Sequence, residues 1–320
     1  MKWFSDKISS YRDQIISALG VVVAFLVFVI MLAVGGCFWR DDSARMAYHS
    51  KRYSSSVAFV AVEYILKDRG TVVQRFHTEG TAFLADSEGR LLTNRHVACP
   101  WLNNKELDRK IAAIKNAGGK PALEYRIWLW FGGVRALRHR RSEFENSCLE
   151  DAYYGYTAYR SDGVRKVSIA GVLPVSEKKD NNDFAVLQVT PVPEKIEAIP
   201  LDTKNVKLAQ LTPLMTLGFP MGTEVIPGSR AVASASMGHV RRSFDHSIQA
   251  DLSVHSGNSG GPVINLSGRV VGIATSVCSE RGLFLLTRVS DMANIITLAP
   301  GIDLLKKVEA GIACNISAQC

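Results

Sequence analysis

Residues 257–262 read Gly-Asn-Ser-Gly-Gly-Pro, and this stretch decides how the rest of the chain is interpreted. A serine hydroxyl is a weak nucleophile at its ordinary pKa and needs a neighbouring base. Glycines in such a turn adopt backbone angles that point successive N–H groups inward, so Gly257, Asn258 and Ser259 are candidates to hold an oxyanion. An ordinary turn between strands has the same composition. The motif therefore predicts catalysis only if partner residues exist elsewhere.

The base must lie upstream of Ser259. The same hexamer satisfies G-x-S-x-G, the nucleophile elbow of α/β-hydrolases, but in those enzymes the histidine follows the serine. No histidine follows His255 in this chain. His96 leaves a predicted hairpin over residues 80–93, which would hold its ring rigidly near the surface, as a general base requires. His255, four residues before Ser259, is the rival base and is assigned to the substrate pocket.

Asp183 completes the constellation. It precedes the apolar run 184–189, and a carboxylate at the mouth of a buried strand can fix the tautomer of a catalytic imidazole. The same residue also fits an ordinary turn. The order His96, Asp183, Ser259 is that of chymotrypsin-type enzymes and differs from the Asp, His, Ser order of subtilisin.

The rest of the chain predicts a mainly β fold. Short β-rich runs separated by Gly, Asn, Asp and Pro are typical of an antiparallel barrel or sandwich. Apolar residues at helical spacing predict one amphipathic helix over residues 102–117. The polar stretch 138–163 is interpreted as a surface loop, and residues 302–309 as a short helix.

Three segments now resemble the catalytic segments of trypsin-like peptidases, most closely the HtrA (Deg) group: Thr93–Val97, Asn182–Val186 and Gly257–Pro262. Four further segments are similar to that group: Gly80–Phe83, Leu217–Gly222, Gln249–Asp251 and Val271–Thr275. The resemblance covers about residues 57–298. It implies an all-β fold, a double antiparallel β-barrel of the chymotrypsin type, with the triad in the cleft between the barrels.

The resemblance also implies an activity and a binding strand. The expected enzyme is a serine endopeptidase acting on misfolded or regulatory proteins through an acyl-enzyme. Thr275 would brace Asp183. The strand containing Ile273, Ala274, Thr275 and Ser276 would pair with the substrate backbone. The interval between His96 and Asp183 is longer than is usual in the family, and the PDZ domain common in HtrA proteins is not expected.

The residues Ser253, Val254 and His255, which precede Ser259, bear on which substrate residues are cleaved. Ser253 stands where cleavage after Lys or Arg would need a carboxylate, and Val254 predicts a small apolar pocket. Cleavage after small aliphatic residues is therefore expected, with His255 lining the pocket. Two other activities stay open: a catalytically silent peptide-binding module on the same fold, and an esterase.

The N-terminal region predicts a membrane anchor. No charged residue occurs between Asp13 and Arg40. As a helix, residues 15–38 would span roughly 36 Å, which is enough to cross a bilayer. A lipoprotein signal acylating Cys37 is the alternative. The expected location is a single-pass position in a bacterial inner membrane, with the catalytic domain facing the periplasm.

Domain boundaries follow from these segments: tail 1–14, anchor 15–38, linker 39–56, peptidase domain 57–299 with an insertion at about 101–163, and C-terminal tail 300–320. The net charge of +8 has no accompanying nucleic-acid-binding module, so nucleic acid is not an expected partner. The six cysteines form no C-x-x-C pair, so no metal site is expected, nor any other cofactor. Cys99 could bridge to Cys148. A homo-oligomer remains open.

Overall fold

The structure is a computed structural model that describes residues 19–30, 41–133, 153–156, 166–172, 183, 185–202, 207–220, 231–244, 247–278 and 283–288. Residues 19–30 are helical. In the ranges given, no helix combines the length and the apolar character needed to cross a membrane. The remainder of the predicted anchor, the polar loop 138–163 apart from residues 153–156, and the predicted helix 302–309 lie outside the described residues.

The segment predicted to be a linker is helical. Helix α1 (Asp42–Tyr53) leads into a short 3-10 helix (Ser54–Ser56). The Asp41 side chain accepts hydrogen bonds from the N–H groups of Ser43 and Ala44, at 3.0 and 3.2 Å, and so caps the N-terminus. Lys51 and Arg52 lie in the last turn, where positive charge is favourable to the helix dipole.

The last turns of α1, from Tyr48 onward, belong to the larger of two compact units and contact other segments of that unit. The His49 ring lies 3.2 Å from the carbonyl of Leu266 and stacks on Tyr53. Arg52 forms an ion pair with Glu197. Polar composition alone predicted a tether here, and these tertiary contacts account for the difference.

The first barrel is closed in the order β1-β2-β3-β7-β6-β5-β4. Its strands are antiparallel except for the single β5–β6 pairing. The strands and helices of the first barrel and its surroundings are β1 (Val57–Asp68), β2 (Thr71–Leu84), β3 (Arg90–Thr93), α2 (Arg95–Ala98), a 3-10 helix (Pro100–Asn103), α3 (Lys105–Asn116), β4 (Pro121–Phe131), β5 (Tyr153–Tyr156), β6 (Lys166–Val172) and β7 (Ala185–Thr190).

Strand β1 is buried on both faces, which explains its nearly continuous apolar sequence. One face, represented by Val60 and Val62, enters the core of the first barrel. The other face carries Phe59, whose ring centroid lies 5.6 Å from that of Phe219 just after the first strand of the second barrel. The two barrels therefore share an apolar contact through β1.

The predicted amphipathic helix is confirmed, with a later start. A 3-10 turn occupies residues 100–103, and α3 begins only after Asn104, whose side-chain oxygen accepts from the N–H groups of Glu106 and Leu107. Leu107 is buried in the first core, and Ile111 and Ile114 pack against it. The helix covers one side of the barrel.

The second barrel is closed in the order β10-β13-β12-β11-β8-β9. Its core is formed by buried aliphatic residues such as Leu214, Val240 and Val263. The predicted double β-barrel is thus confirmed. The strands are β8 (Pro213–Gly218), β9 (Ser234–Ser243), β10 (Ser247–Ala250), β11 (Pro262–Asn265), β12 (Val270–Cys278) and β13 (Leu283–Arg288).

The connection between the barrels, residues 191–202, is hydrogen-bonded to both of them. The Ile199 N–H donates to the carbonyl of Leu84 in the first barrel, at 2.9 Å. The Val270 N–H of the second barrel donates to the carbonyl of Pro200, also at 2.9 Å. The connector therefore fixes how the two barrels face each other, which positions the site between them.

Candidate active site

His96 is placed by a tight contact between α2 and β2. The chain turns at Asn94, whose carbonyl accepts from the N–H groups of Val97 and Ala98. A Cβ on Gly80 would lie 2.6 Å from the Val97 side chain, so only glycine permits this approach. The His96 side chain is 36% exposed. Its ring is therefore rigidly mounted and still accessible, as the sequence predicts.

Asp183 contacts His96 through both carboxylate oxygens. Oδ2 lies 2.5 Å from the ring Nδ1, and Oδ1 accepts from the His96 backbone N–H at 3.0 Å. Burial alone would raise the pKa of Asp183. The hydrogen bonds and charge of His96, together with the charge of Arg95, outweigh burial and hold that pKa below its ordinary value. The carboxylate is ionised and can fix the imidazole with Nδ1 protonated.

Asn94 connects this pair to the second barrel. Its side-chain Nδ2 donates to the backbone carbonyl of Asp183 at 2.7 Å and to the hydroxyl of Thr275 at 3.1 Å. Thr275 lies at a bulge in β12, between Ala274 and Ser276. Asn94 was not singled out from the sequence. Its place two residues before the base is the one signal that could have found it.

The loop over residues 257–261, which carries Ser259, is hydrogen-bonded to the first barrel. The Ser259 carbonyl accepts from the Thr81 N–H at 2.8 Å, and the Thr81 hydroxyl donates to the Gly257 carbonyl at 2.7 Å. A Cβ on Gly260 would lie 1.9 Å from the Thr81 carbonyl oxygen and 2.3 Å from the Thr93 hydroxyl. The Gly260 N–H donates to Ala274 of the second barrel at 2.8 Å. Both barrels therefore position Ser259.

The N–H groups of this loop divide into two sets. Those of Asn258, Gly260 and Gly261 donate to backbone carbonyls. Those of Gly257 and Ser259 have no acceptor in the described part of the chain. Gly257 has φ +95°, a conformation that favours glycine. Two of the three predicted oxyanion donors are therefore available, while the Asn258 N–H is bonded to the His255 carbonyl at 3.0 Å.

His96 and Ser259, both described residues, share no hydrogen bond in this structure. Their segments are nevertheless adjacent, since Gly260 lies against Thr93 at the end of β3. Catalytic hydrogen bonds are often long in the absence of substrate and tighten in the complex. The structure therefore brings the segments that carry His96 and Ser259 together without a hydrogen bond between the two side chains.

The residues predicted to set substrate specificity differ in how far they are exposed to solvent. Val254 is only 6% exposed and belongs to the core of the second barrel. Ser253 and His255 are exposed, with their side chains 3.4 Å apart. In β12, Ile273 and Ala274 are buried, and Thr275 is half-buried. The side chain of Ser276 lies outside the described residues.

The structure describes the state of the Cys99 thiol and the placement of residues able to bind a metal ion. Cys99 is a free, buried thiol in the described part of the chain, and Cys148, its considered partner, lies outside the described residues. Burial raises the pKa of this thiol. Among the described residues, no group of three or more His, Cys, Asp or Glu side chains is arranged to hold a metal ion.

A family model described as a trypsin-like peptidase domain matches residues 80–273, which is more than half of the chain. The chain belongs to the trypsin-like peptidase family. As a trypsin-like peptidase it is similar to the periplasmic serine endoprotease DegP of Salmonella typhimurium, at 28% identity over 161 residues. That match covers 47% of this chain and 34% of that protein.

Two other relatives are also proteases by name. A probable periplasmic serine protease do/HhoA-like of Haemophilus influenzae is 29% identical over 105 residues, covering 33% of this chain and 22% of that protein. The magnetosome formation protease MamE of Magnetospirillum gryphiswaldense is 30% identical over 104 residues, covering 32% and 13%. The chain thus spans about a third or less of the length of these relatives.

One solved structure, a crystal structure of Deg5, aligns with 81% of this chain and 98% of that chain. The TM-score is 0.45 and the sequence identity is 18%. This likeness adds nothing to the architecture described above.

Proposed function

We propose that this trypsin-like peptidase is a serine endopeptidase of the HtrA type, with Ser259 as nucleophile, His96 as general base and Asp183 as the group that orients the base. The observation that carries the proposal is the two-point contact between Asp183 and His96. One oxygen binds the ring Nδ1 and the other binds the backbone N–H of the same residue. That contact leaves Nε2 as the ring nitrogen able to take a proton.

The proposed reaction uses the groups in order. His96 removes the hydroxyl proton as Ser259 attacks a peptide carbonyl, and the N–H groups of Gly257 and Ser259 hold the oxyanion. His96 then protonates the leaving amine, which departs, and water hydrolyses the acyl-enzyme with His96 again acting as base. Neither N–H group has an acceptor in the part of the chain that the structure describes, which supports this role, because no such bond must break before the oxyanion binds.

The proposed substrates are misfolded or regulatory proteins, which would bind as an added strand along residues 273–276. Cleavage after small aliphatic residues is proposed, because Ser253 supplies no negative charge to attract Lys or Arg. A peptide-library profile checks this point. A preference for basic residues would refute it.

We also propose that residues 15–38 anchor the enzyme in a membrane, with the catalytic unit outside the cytoplasm. Residues 19–30 are helical with exposed apolar side chains, and the uncharged run extends on both sides of them. The periplasmic names of two relatives support this location. Retention in the membrane fraction after alkaline carbonate washing is expected, and release into the supernatant would contradict the anchor.

The test of the activity is labelling of the full-length protein with a fluorophosphonate probe, beside the variants Ser259→Ala and His96→Ala. Only the parent should be labelled, because each substitution is expected to reduce reactivity by about a million-fold. Labelling of Ser259→Ala would place the nucleophile elsewhere. A folded parent that stays unlabelled would favour the alternative, a silent peptide-binding module.

A further inference from the structure

Asn94 stands at the N-terminus of α2, but its side chain does not cap the helix. A capping asparagine accepts, through its side-chain oxygen, the N–H of the second or third helical residue. The Asn94 side chain accepts no such bond. The N–H of His96, the second residue of α2, donates instead to Asp183 Oδ1 at 3.0 Å. Asn94 Oδ1 is buried and has no hydrogen-bond partner among the described residues. Asp183 therefore fills the capping role that this position favours for Asn94.

The Asn94 amide is directed at two residues that are distant in the sequence. Its Nδ2 lies 2.7 Å from the backbone carbonyl oxygen of Asp183 and 3.1 Å from the hydroxyl oxygen of Thr275. A carbonyl oxygen only accepts, and the Thr275 hydroxyl donates its hydrogen to the Ile273 carbonyl at 3.0 Å. Both acceptors therefore require the N–H groups of the amide. This requirement places Nδ2 toward them and leaves Oδ1 unbonded.

Asp183 is consequently held at three points by residues 94–96. His96 binds the two carboxylate oxygens through its backbone N–H and its ring Nδ1. Asn94 binds the backbone carbonyl of Asp183. The contacts with His96 fix the carboxylate relative to the ring, while the contact with Asn94 fixes the main chain from which the carboxylate extends. Loss of that contact frees this main chain to shift and to turn the imidazole with it.

The other acceptor of the amide, Thr275, lies at a bulge of β12. The neighbouring residue, Ala274, accepts from the Gly260 N–H at 2.8 Å and donates to the Gly261 carbonyl at 2.9 Å. These two bonds hold the loop that carries the nucleophile. One residue of the bulge is therefore joined to that loop, and the next is joined to the catalytic pair.

We propose that Asn94 is a positioning residue, which ties Asp183 to the bulge of β12 and so holds the base where it can reach the nucleophile in the chemical step. Residues 273–276 are also the strand proposed to pair with the substrate, so the same bulge aligns a bound peptide with the catalytic pair. The inference rests on the peptidase function proposed above. It assigns Asn94 to the rate of the reaction and not to the affinity for substrate.

The test measures fluorophosphonate labelling of the full-length protein at increasing probe concentrations. This design separates the maximal labelling rate from the probe concentration that gives half of that rate. In Asn94→Ala, the maximal rate should fall about 10- to 100-fold, because a small misplacement of a catalytic group has an effect of that size. The half-maximal concentration should be unchanged, since the residue does not contribute to binding.

Variants of Thr275 examine the other end of the bridge. Thr275→Val is nearly isosteric, removes the acceptor and should also lower the maximal rate. Thr275→Ser keeps the hydroxyl and should label faster than Thr275→Val. In the double variant Asn94→Ala/Thr275→Val, the loss should be clearly smaller than the product of the two single losses, because each change breaks the same bridge. If Asn94→Ala cannot fold, the two Thr275 variants carry the test, and equal rates for them would overturn the inference.

The matched control is Asn104→Ala. Asn104 also precedes a helix beside the first barrel, and its side chain donates to the Tyr64 hydroxyl and accepts from the N–H groups of Glu106 and Leu107. This variant loses as many hydrogen bonds but should label at the maximal rate of the parent.

Three results would overturn the inference: Asn94→Ala labelling at the parent rate, an equal loss in Asn104→Ala, or a double variant whose loss equals the product of the single losses. A folded parent that stays unlabelled at every probe concentration would instead refute the peptidase function.

Discussion

Replacing Gly260 by alanine should destabilise the protein more than an ordinary glycine substitution. Gly260 has φ +90°, and its missing Cβ would fall 1.9 Å from the Thr81 carbonyl oxygen and 2.3 Å from the Thr93 hydroxyl. The left-handed conformation costs about 1–2 kcal/mol for a non-glycine residue. Overpacking adds about 1–3 kcal/mol, here at the upper end because a backbone atom must move. The expected loss is about 3–5 kcal/mol.

Gly133 is the matched control for this substitution. It has the same φ of +90°, but a Cβ at that position would meet no atom of the described residues within 4 Å. Gly133→Ala should therefore cost only the conformational term of about 1–2 kcal/mol. Equilibrium urea unfolding measures both variants by tryptophan fluorescence, since the first barrel buries Trp101, Trp128 and Trp130. Equal destabilisation by the two substitutions would refute the close packing of Gly260 against β2.

Asp183→Asn should lower kcat by about 10⁴-fold with the fold intact, because the wrong imidazole tautomer is favoured; a loss below tenfold in steady-state assays would argue against the assigned role. Since the pKa of Asp183 is held below its ordinary value, its stabilisation is present above the unfolded-state pKa of about 4 and is lost as the pH falls through the folded-state pKa. The difference in unfolding free energy between parent and Asp183→Asn should therefore shrink on acidification from pH 5 to 2.5, and a constant difference would contradict this. Thr81→Val leaves the Phe219 N–H and the Gly257 carbonyl without their partner, and should cost about 2–4 kcal/mol in urea unfolding and slow Ser259 labelling; an unchanged labelling rate would show that this bond does not hold the loop. Cys99 should resist iodoacetamide at pH 8 in the native protein and react in urea, as checked by peptide mass spectrometry.

The double β-barrel could be predicted because local sequence patterns indicate its strands and its family. Short β-rich runs between turn residues indicated the strands, and the residues around His96, Asp183 and Ser259 resemble the catalytic segments of the trypsin-like family. The predicted helix over residues 102–117 was also correct in kind. Its start was wrong by three residues because Pro100 favours a 3-10 turn and Asn104 supplies the cap.

The parts that could not be predicted depend on contacts between distant segments. Thr81 was seen only as part of a family-like motif, yet its hydroxyl bonds to a residue 176 positions later. Asn94 looks like a turn residue until Asp183 and Thr275 are placed beside it. Val254 was assigned to a pocket because it is apolar, and the structure places it in the core of the second barrel. The segment 41–56 was predicted to be a tether from its polar composition. Composition cannot show that His49 contacts the Leu266 carbonyl or that Arg52 pairs with Glu197.

The contacts made by the last turns of α1, from Tyr48 onward, change where this chain can be cut or grafted. A Cβ on Gly268 would lie 2.5 Å from the His49 ring, so that turn of the second barrel is shaped to receive the helix. Arg52 and Ser56 both bond to Glu197 in the connector between the barrels. A shortened protein beginning at residue 57 would lose the contacts of His49, Arg52 and Ser56 and expose the surface that they cover, whereas one beginning at Asp41 retains these contacts. Transplanting the protease onto another carrier therefore means moving the helix as well.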